Sequence, residues 1–120
     1  MNVIGTGGPP FKSWWRDRDA AMMRLVDMLE RWAAAEGEDV TVVFERPPSP
    51  PIRSTVIDVG HAPKPRRDAA DDEIIRRLRA DRDPRAVRVV TSDRALSERA
   101  YAAGATVEGA ESFRGRITSI

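Results

Sequence analysis

Five consecutive residues, Val40 to Phe44, are β-branched or aromatic, and none of them is charged. A strand with one face in water alternates apolar and polar side chains, whereas a strand buried on both faces reads as a nearly continuous apolar run. Strands of the second kind belong to parallel sheets, whose neighbouring strands need crossover connections that are usually helices. The run therefore predicts an α/β chain.

Segments with helical spacing lie on both sides of this run. Apolar side chains recur every three or four positions over residues 18–35, with Gly37 after them, and again over 68–82, which predicts two helices. The other predicted elements are the end of a strand at 2–5, a weak edge strand at 54–59, a strand at 87–91, a short helix at 94–103, a short strand at 105–108 and a terminal helix at 111–117. This alternating order predicts a mostly parallel sheet with helices on both faces and right-handed crossovers.

Length and charge restrict the possible functions. The chain has 120 residues, with 20 basic and 19 acidic side chains and a formal net charge of +1. We expect one domain over residues 1–120, and the charge balance excludes a polybasic arm that binds nucleic acid through net charge alone. Because the chain has no cysteine and His61 is its one histidine, disulfides and multi-histidine metal sites are excluded. Without a membrane span or a signal peptide, a cytoplasmic protein that avoids the membrane is expected.

The basic residues are almost all arginines, since Lys12 and Lys64 are the two lysines. A guanidinium binds phosphate bidentately, so the excess suits a phosphate-bearing partner. GC-rich coding favours Arg, Ala and Pro together and explains the same composition. The arginine excess therefore permits a phosphate-binding function without indicating one.

Acidic side chains follow the predicted strands at the edge where open parallel sheets build their sites. Asp93 comes after the strand at 87–91, and Asp71 and Asp72 lie in the first turn of the helix that precedes this strand. Because that helix runs antiparallel to the strands, we expect Asp71 to face Asp93, with Asn2 at the same edge. Carboxylates this close repel each other unless a cation lies between them, and Mg²⁺ or Mn²⁺ prefers oxygen ligands. A water bound to such an ion can attack a phosphodiester.

The same acids also have a purely structural interpretation. Asp71 and Asp72 suit the first turn of any helix, because acidic side chains complement the helix dipole. Ser92 or Asp93 suits the N-cap of the helix at 94–103. The residues alone leave both interpretations open.

Aromatic and basic side chains give further candidates. Trp14 and Trp15 could stack on nucleic-acid bases, or one of them could plug the core. Lys64, Arg66 and Arg67 lie before the acidic start of the second helix, where they could contact an RNA backbone or simply form a solvated loop.

Several of these segments together resemble the YacP-like NYN domain proteins, which belong to the PIN-like nuclease superfamily. The resemblance covers nearly the whole chain, and its motifs occur in the right order at plausible spacing. The matching segments are Asn2-Val3-Ile4-Gly5, Trp14-Trp15-Arg16-Asp17-Arg18, Val42-Val43-Phe44-Glu45, Ala69-Ala70-Asp71-Asp72-Glu73-Ile74 and Val89-Val90-Thr91-Ser92-Asp93-Arg94.

The resemblance implies a PIN-like three-layer α/β fold with a mostly parallel central sheet and helices on both faces. It also implies an acidic Mg²⁺ or Mn²⁺ site that cleaves RNA, as in relatives that are ribosome-associated endoribonucleases acting on messenger RNA. The metal ligands so implied are Asp71 and Asp93, and the catalytic residues are Asp71, Asp93 and the neighbouring Asp72. The residues assigned to substrate binding are Asn2, Ser92, Lys64, Arg66 and Arg67.

One departure from the family pattern concerns the first strand. The family motif there usually reads Asp-Gly-(aromatic or Met)-Asn, and its Asp would fall two places before Met1. We therefore expect a truncated first strand and an incomplete metal site, either because the start codon is assigned to an internal methionine or because the protein is a weakened relative. Two hypotheses follow, a metal-dependent endoribonuclease and a catalytically degenerate RNA- or ribosome-binding module with the same fold.

Overall fold

Helices and strands alternate along the computed structural model, which describes residues 2–5, 18–64 and 68–118. The strands are β1 (Asn2–Gly5), β2 (Val40–Phe44), β3 (Asp58–His61), β4 (Arg88–Val90) and β5 (Thr106–Glu108). The helices are α1 (Arg18–Glu36), α2 (Ala69–Ala80), α3 (Arg94–Ala102) and α4 (Ala110–Thr118), and a short 3₁₀ helix at Pro84–Ala86 precedes β4. In these ranges no helix combines the length and the apolar character that crossing a membrane requires.

The strands form a sheet in the order β3-β2-β1-β4-β5, and every ladder between them is parallel. β1 is the central strand, where Ile4 pairs with Val42 of β2 on one side and with Val90 of β4 on the other. Since parallel strands are joined by connections that run back along the sheet, α2 begins at the carboxyl edge of the sheet and ends near its amino edge. The predicted parallel α/β architecture is confirmed.

Both faces of the sheet are covered by helices, because successive residues of a strand point to opposite sides. Val42 and Val90 pack in one hydrophobic core with α1 and α4, whereas Val43 and Val89 pack in a second core with α2 and α3. Consequently, every residue of β2 is buried, as its apolar sequence indicated. The helices and the sheet form three layers.

The edge strand β3 lies further along the chain than its predicted range of 54–59. Ser54 explains the difference, because its Oγ accepts hydrogen bonds from the amides of Val56 and Ile57, both at 3.1 Å. A side chain that binds nearby backbone amides offers the backbone an alternative to the ladder. The strand therefore begins at Asp58, although its position at the edge of the sheet agrees with the prediction.

The described part of the first strand is Asn2–Gly5, and the truncation expected for this strand stays a prediction. Asn2–Gly5 pairs along its full length with β2, and its first three residues also pair with β4. Val3 and Ile4 are buried in the two opposite cores. The segment therefore serves as the central strand, and it carries no acidic residue.

Candidate functional site

Asp71 lies in the first turn of α2, at the carboxyl edge of the sheet. The helix begins after Asp68, whose φ of 60° is left-handed, and the Asp72 amide donates to the Asp68 carbonyl at 3.0 Å. Ala70 and Ile74 are buried against the sheet and fix this end of the helix. Asp71 is half-buried there rather than on the open surface.

Asp93 lies between β4 and α3, where its side chain caps the helix. Its Oδ1 accepts a hydrogen bond from the Leu96 amide at 2.8 Å, and its own amide donates to Thr91 Oγ1 at 3.0 Å. The Ser97 hydroxyl also donates to the Asp93 carbonyl at 2.8 Å. The N-cap interpretation of Asp93 is therefore confirmed, and these bonds fix the position of a carboxylate that remains exposed.

The charge of Asp93 acts on the Asp71 carboxyl across the gap between the two segments. Burial is the largest cause that raises the pKa of Asp71 from 3.8 to about 6, and the negative charges of Asp93 and then Asp68 raise it further. The positive charge of Arg99 lowers this pKa. Asp71 and Asp93, which are far apart in the sequence, therefore form one electrostatic unit in the fold.

Asp72 points toward α3 and makes an ion pair there. The Arg99 guanidinium donates from Nη1 to Asp72 Oδ1 at 3.1 Å. About 44% of the Arg99 side chain and 37% of the Asp72 side chain remain exposed. The pair joins the two helices that carry Asp71 and Asp93.

Ser92 links the segment after β4 to the start of α4. Its Oγ accepts a hydrogen bond from the Ala110 amide at 3.0 Å, at the first residue of that helix. The hydroxyl thus satisfies a helix amide that has no partner within the helix. A contact between Ser92 and a substrate remains a prediction.

Asn2 does not lie at the carboxyl edge, so its expected position beside the acids is wrong. It pairs with Val40 and Arg88, the first residues of β2 and β4, and therefore begins β1 at the amino edge of the sheet. Its Nδ2 donates there to Glu38 Oε2 at 3.2 Å. The sequence predicted only the end of a strand at 2–5, whereas Asn2 is the first residue of β1 and Gly5 the last.

Several predicted contact residues lie outside the described residues, namely Trp14, Trp15, Arg66 and Arg67. Lys64 is described and is exposed in the connection between β3 and α2. The substrate-binding assignments of these residues remain predictions.

Sequence reasoning did not select Arg99 as a site residue. It lies 27 positions from Asp72, and no local spacing connects the two. The one feature of the sequence that connects Arg99 with the site is that it lies within two helical turns after Asp93. Asp68 precedes the first residue of α2, but its side chain makes no cap hydrogen bond, and its charge raises the pKa of Asp71.

The sequence profile of the YacP-like NYN domain matches residues 1–120. The chain belongs to the YacP-like NYN domain family. This family is nuclease-type and RNA-related, and its fold is PIN-like. A search of curated proteins gives no match.

Solved structures with low sequence identity to this chain have the same fold. A crystal structure of Rae1 (YacP) from Bacillus subtilis superposes with a TM-score of 0.77 at 16% identity, covering 99% of this chain and 74% of that one. A tryptophan-to-leucine mutant of the same protein gives a TM-score of 0.76 at 17% identity, covering 98% and 74%. The NYN domain described here therefore shares their PIN-like architecture.

NYN and PIN-like nucleases generally use divalent metals, and the acids of this domain suit such an ion. Asp71 and Asp93 offer carboxylate oxygens. The pKa of Asp71 is raised first by burial and then by the negative charges of Asp93 and Asp68, which a cation would offset. Within 2–5, 18–64 and 68–118, no three acidic or histidine side chains form a ligand group. Two carboxylates fit Mg²⁺ or Mn²⁺ best, because these ions keep several water ligands.

Proposed function

We propose that this NYN domain is a divalent-metal-dependent endoribonuclease that cleaves RNA phosphodiesters in the cytoplasm, in association with the ribosome. The observation that carries the proposal is the position of half-buried Asp71, in the first turn of α2, and of Asp93, at the N-cap of α3, at the same carboxyl edge of a PIN-like sheet. The family supports RNA as the partner, and the resemblance noted in the sequence implies the ribosome.

Asp71 and Asp93 would hold Mg²⁺ or Mn²⁺, which supplies a polarised phosphate and a more acidic water when bound. The chain contributes fixed positions for these acids. The Leu96 amide and Thr91 Oγ1 hold Asp93, and the buried face of α2 holds Asp71. Lys64, with Arg66 and Arg67, would bind the RNA backbone from the loop before α2.

The test is cleavage of a fluorophore- and quencher-labelled single-stranded RNA with Mg²⁺, with Mn²⁺ and with EDTA. Asp71→Asn and Asp93→Asn should each lower kcat by about 100-fold, because a polarising ion contributes several kcal/mol to the transition state. Asn is also a good N-cap, so Asp93→Asn keeps the start of α3. Asp27→Asn is the matched control, since Asp27 is exposed on α1, on the other face of the sheet, and should have no effect.

Thermal unfolding gives a second readout that does not require turnover. An ion at about ten times its Kd stabilises the folded state by about 1.4 kcal/mol, which corresponds to about 6 °C in Tm. Mn²⁺ should raise the Tm of the wild type and of Asp27→Asn at pH 7.5, but not that of Asp71→Asn. Cleavage that persists in EDTA, or a fully active Asp71→Asn, would contradict the proposal.

A second candidate is a catalytically degenerate module that binds RNA or the ribosome. The absence of a three-membered ligand group among the described side chains favours it. This candidate predicts RNA binding and co-sedimentation with ribosomes that survive EDTA, without cleavage under any metal. The cleavage and Tm measurements separate the two functions.

A further inference from the structure

Arg99 places a positive charge beside the acidic site of the proposed nuclease. Its Nη1 donates to Asp72 Oδ1 at 3.1 Å, and its charge acts on the neighbouring Asp71 carboxyl. Arg99 also lies on α3, the helix that Asp93 caps. The guanidinium is therefore held between the two segments that carry the paired acids.

The ion pair itself has little value for folding. Both partners are more than one-third exposed, at 44% for Arg99 and 37% for Asp72. Exposed pairs of this kind contribute only about 0.2–1 kcal/mol, because water screens the attraction and two long side chains lose freedom. The pair therefore contributes little to the stability of the fold.

Four acids lie near this ion pair. Asp68, Asp71 and Asp72 lie at the start of α2, and Asp93 caps α3, which packs against α2. An RNA phosphate that approaches this position is repelled unless positive charge offsets the acids. A guanidinium carries five N–H donors in a planar fork, and the bond to Asp72 involves only Nη1.

We propose that Arg99 binds the RNA phosphate next to the cleaved bond, and that Asp72 is the positioning residue that orients its guanidinium. This inference rests on the proposed function, because it assigns the substrate contact of the same site. It gives the neighbouring acids different functions: Asp71 binds the ion, whereas Asp72 acts through Arg99. The side chain at position 72 then has to accept a hydrogen bond from Arg99, and its negative charge is not required.

The first test measures RNA binding without cleavage, by fluorescence anisotropy of a short fluorescein-labelled single-stranded RNA in EDTA. Arg99→Gln should weaken binding by about tenfold, and the slope of log K against log salt should fall by about 0.7, the value for one phosphate contact. Arg99→Lys should keep the slope but lose part of the affinity, because an ammonium cannot bind bidentately. Arg31→Gln removes the same charge from an exposed ion pair on α1, on the other face of the sheet, and should bind as the wild type does.

The second test compares Asp72→Asn with Asp72→Ala in the cleavage assay. Asn keeps an acceptor for Arg99, so Asp72→Asn should stay within about twofold of the wild type in kcat and KM. Asp72→Ala should raise KM while kcat changes little, and it should add nothing to the effect of Arg99→Gln. A ligand of the metal would instead lose kcat in both variants.

The outcomes are distinct from those of the proposed function. If Arg99→Gln binds RNA with the affinity and salt slope of Arg31→Gln, the phosphate contact is wrong. If Asp72→Asn loses kcat as Asp71→Asn does, the positioning assignment is wrong. A wild type that never cleaves RNA, although Arg99→Gln weakens binding in EDTA, would overturn the endoribonuclease and leave the phosphate contact in place.

Discussion

Asp71 is a carboxyl group in a position that disfavours its own charge. Burial and the acids around it raise its pKa to about 6. At neutral pH the group is ionised in both states, and its negative charge is less favourable in the folded state than in the unfolded chain. Such a group weakens the fold, and its presence is consistent with a function that needs negative charge, such as binding a cation. Asp93 differs, because its bond to the Leu96 amide at 2.8 Å makes it useful to the fold as well.

Replacement of Asp71 should therefore stabilise the domain. Between the unfolded pKa of 3.8 and the folded pKa of about 6, the folded state binds more protons, so the free energy of unfolding falls as pH rises through this range. Because the group is only half-buried, we expect Asp71→Asn to gain about 1 kcal/mol above pH 7 and nothing below pH 4. Urea denaturation at both pH values measures the difference.

Asp27→Asn is the control for that measurement, since it makes the same change at an exposed position. Its effect should be small and similar at the two pH values. An Asp71→Asn variant that is less stable than the wild type at pH 7 would contradict the conclusion that the charge of Asp71 destabilises the fold.

At the scale of elements, a buried acid and an arginine attach α2 to the edge strand β3. Glu73 is buried, and it accepts hydrogen bonds from Arg76 Nε and Arg77 Nε, both at 2.8 Å. Arg77 also reaches Asp58 at 3.4 Å and lies across Gly60, where any Cβ would collide with the guanidinium. Since α2 also carries Asp71, these contacts help to set where the site lies on the sheet.

Glu73→Gln should weaken this attachment in a pH-dependent way. Hydrogen bonds from Arg76 are the largest cause that lowers the pKa of Glu73 from 4.5 to about 2, so its contribution is complete above pH 4.5 and disappears as pH falls toward 2. We expect a loss of about 2 kcal/mol at pH 7, reduced from the full shift because both arginines are partly exposed. Denaturation curves of the two proteins should therefore show a smaller difference in the free energy of unfolding at pH 3 than at pH 7.

The control is Glu98→Gln, which removes an exposed acid paired with Arg94 on α3. Its cost should stay below about 0.5 kcal/mol at either pH. A Glu73→Gln deficit that is equal at pH 7 and pH 3 would argue against the charge of Glu73 as its source.

The helices and strands were largely predictable from the sequence, but the side-chain contacts between them were not. Periodicity predicted the main helices and strands, since these have buried residues at regular spacing, as in Val40–Phe44 and at Ile74 and Leu78 of α2. Ser54 and its turn displaced β3, because side-chain acceptors for backbone amides leave no periodic pattern. The link between Arg99 and Asp72 depends on how two helices pack, which no local spacing encodes.

At the scale of the whole molecule, α4 completes the core that α1 begins. Phe113 is fully buried and meets Trp32 edge to face, with ring centroids 5.0 Å apart. The Arg116 guanidinium lies 5.4 Å from the Trp32 ring centre and also pairs with Glu108 of β5. The last described helix is thus joined to both the first helix and the far edge of the sheet.

Phe113→Ala should consequently cost about 3–5 kcal/mol of stability, because it opens a cavity in the core between α1 and α4. Tyr101→Ala removes an aromatic side chain that is 61% exposed, so its cost should be within about 0.5 kcal/mol. Urea unfolding with unchanged m-values measures both. Equal effects of the two substitutions would show that α4 contributes little to the cooperative fold.

The central position of β1 has a consequence for synthesis on the ribosome. Of the described strands β1 is made first, yet its ladder with β4 joins Ile4 to Val90, which is made much later. Pairings between such distant segments close slowly, since a long loop loses entropy before any contact forms. The nascent chain must therefore keep one apolar strand without its second neighbour until β4 has been made.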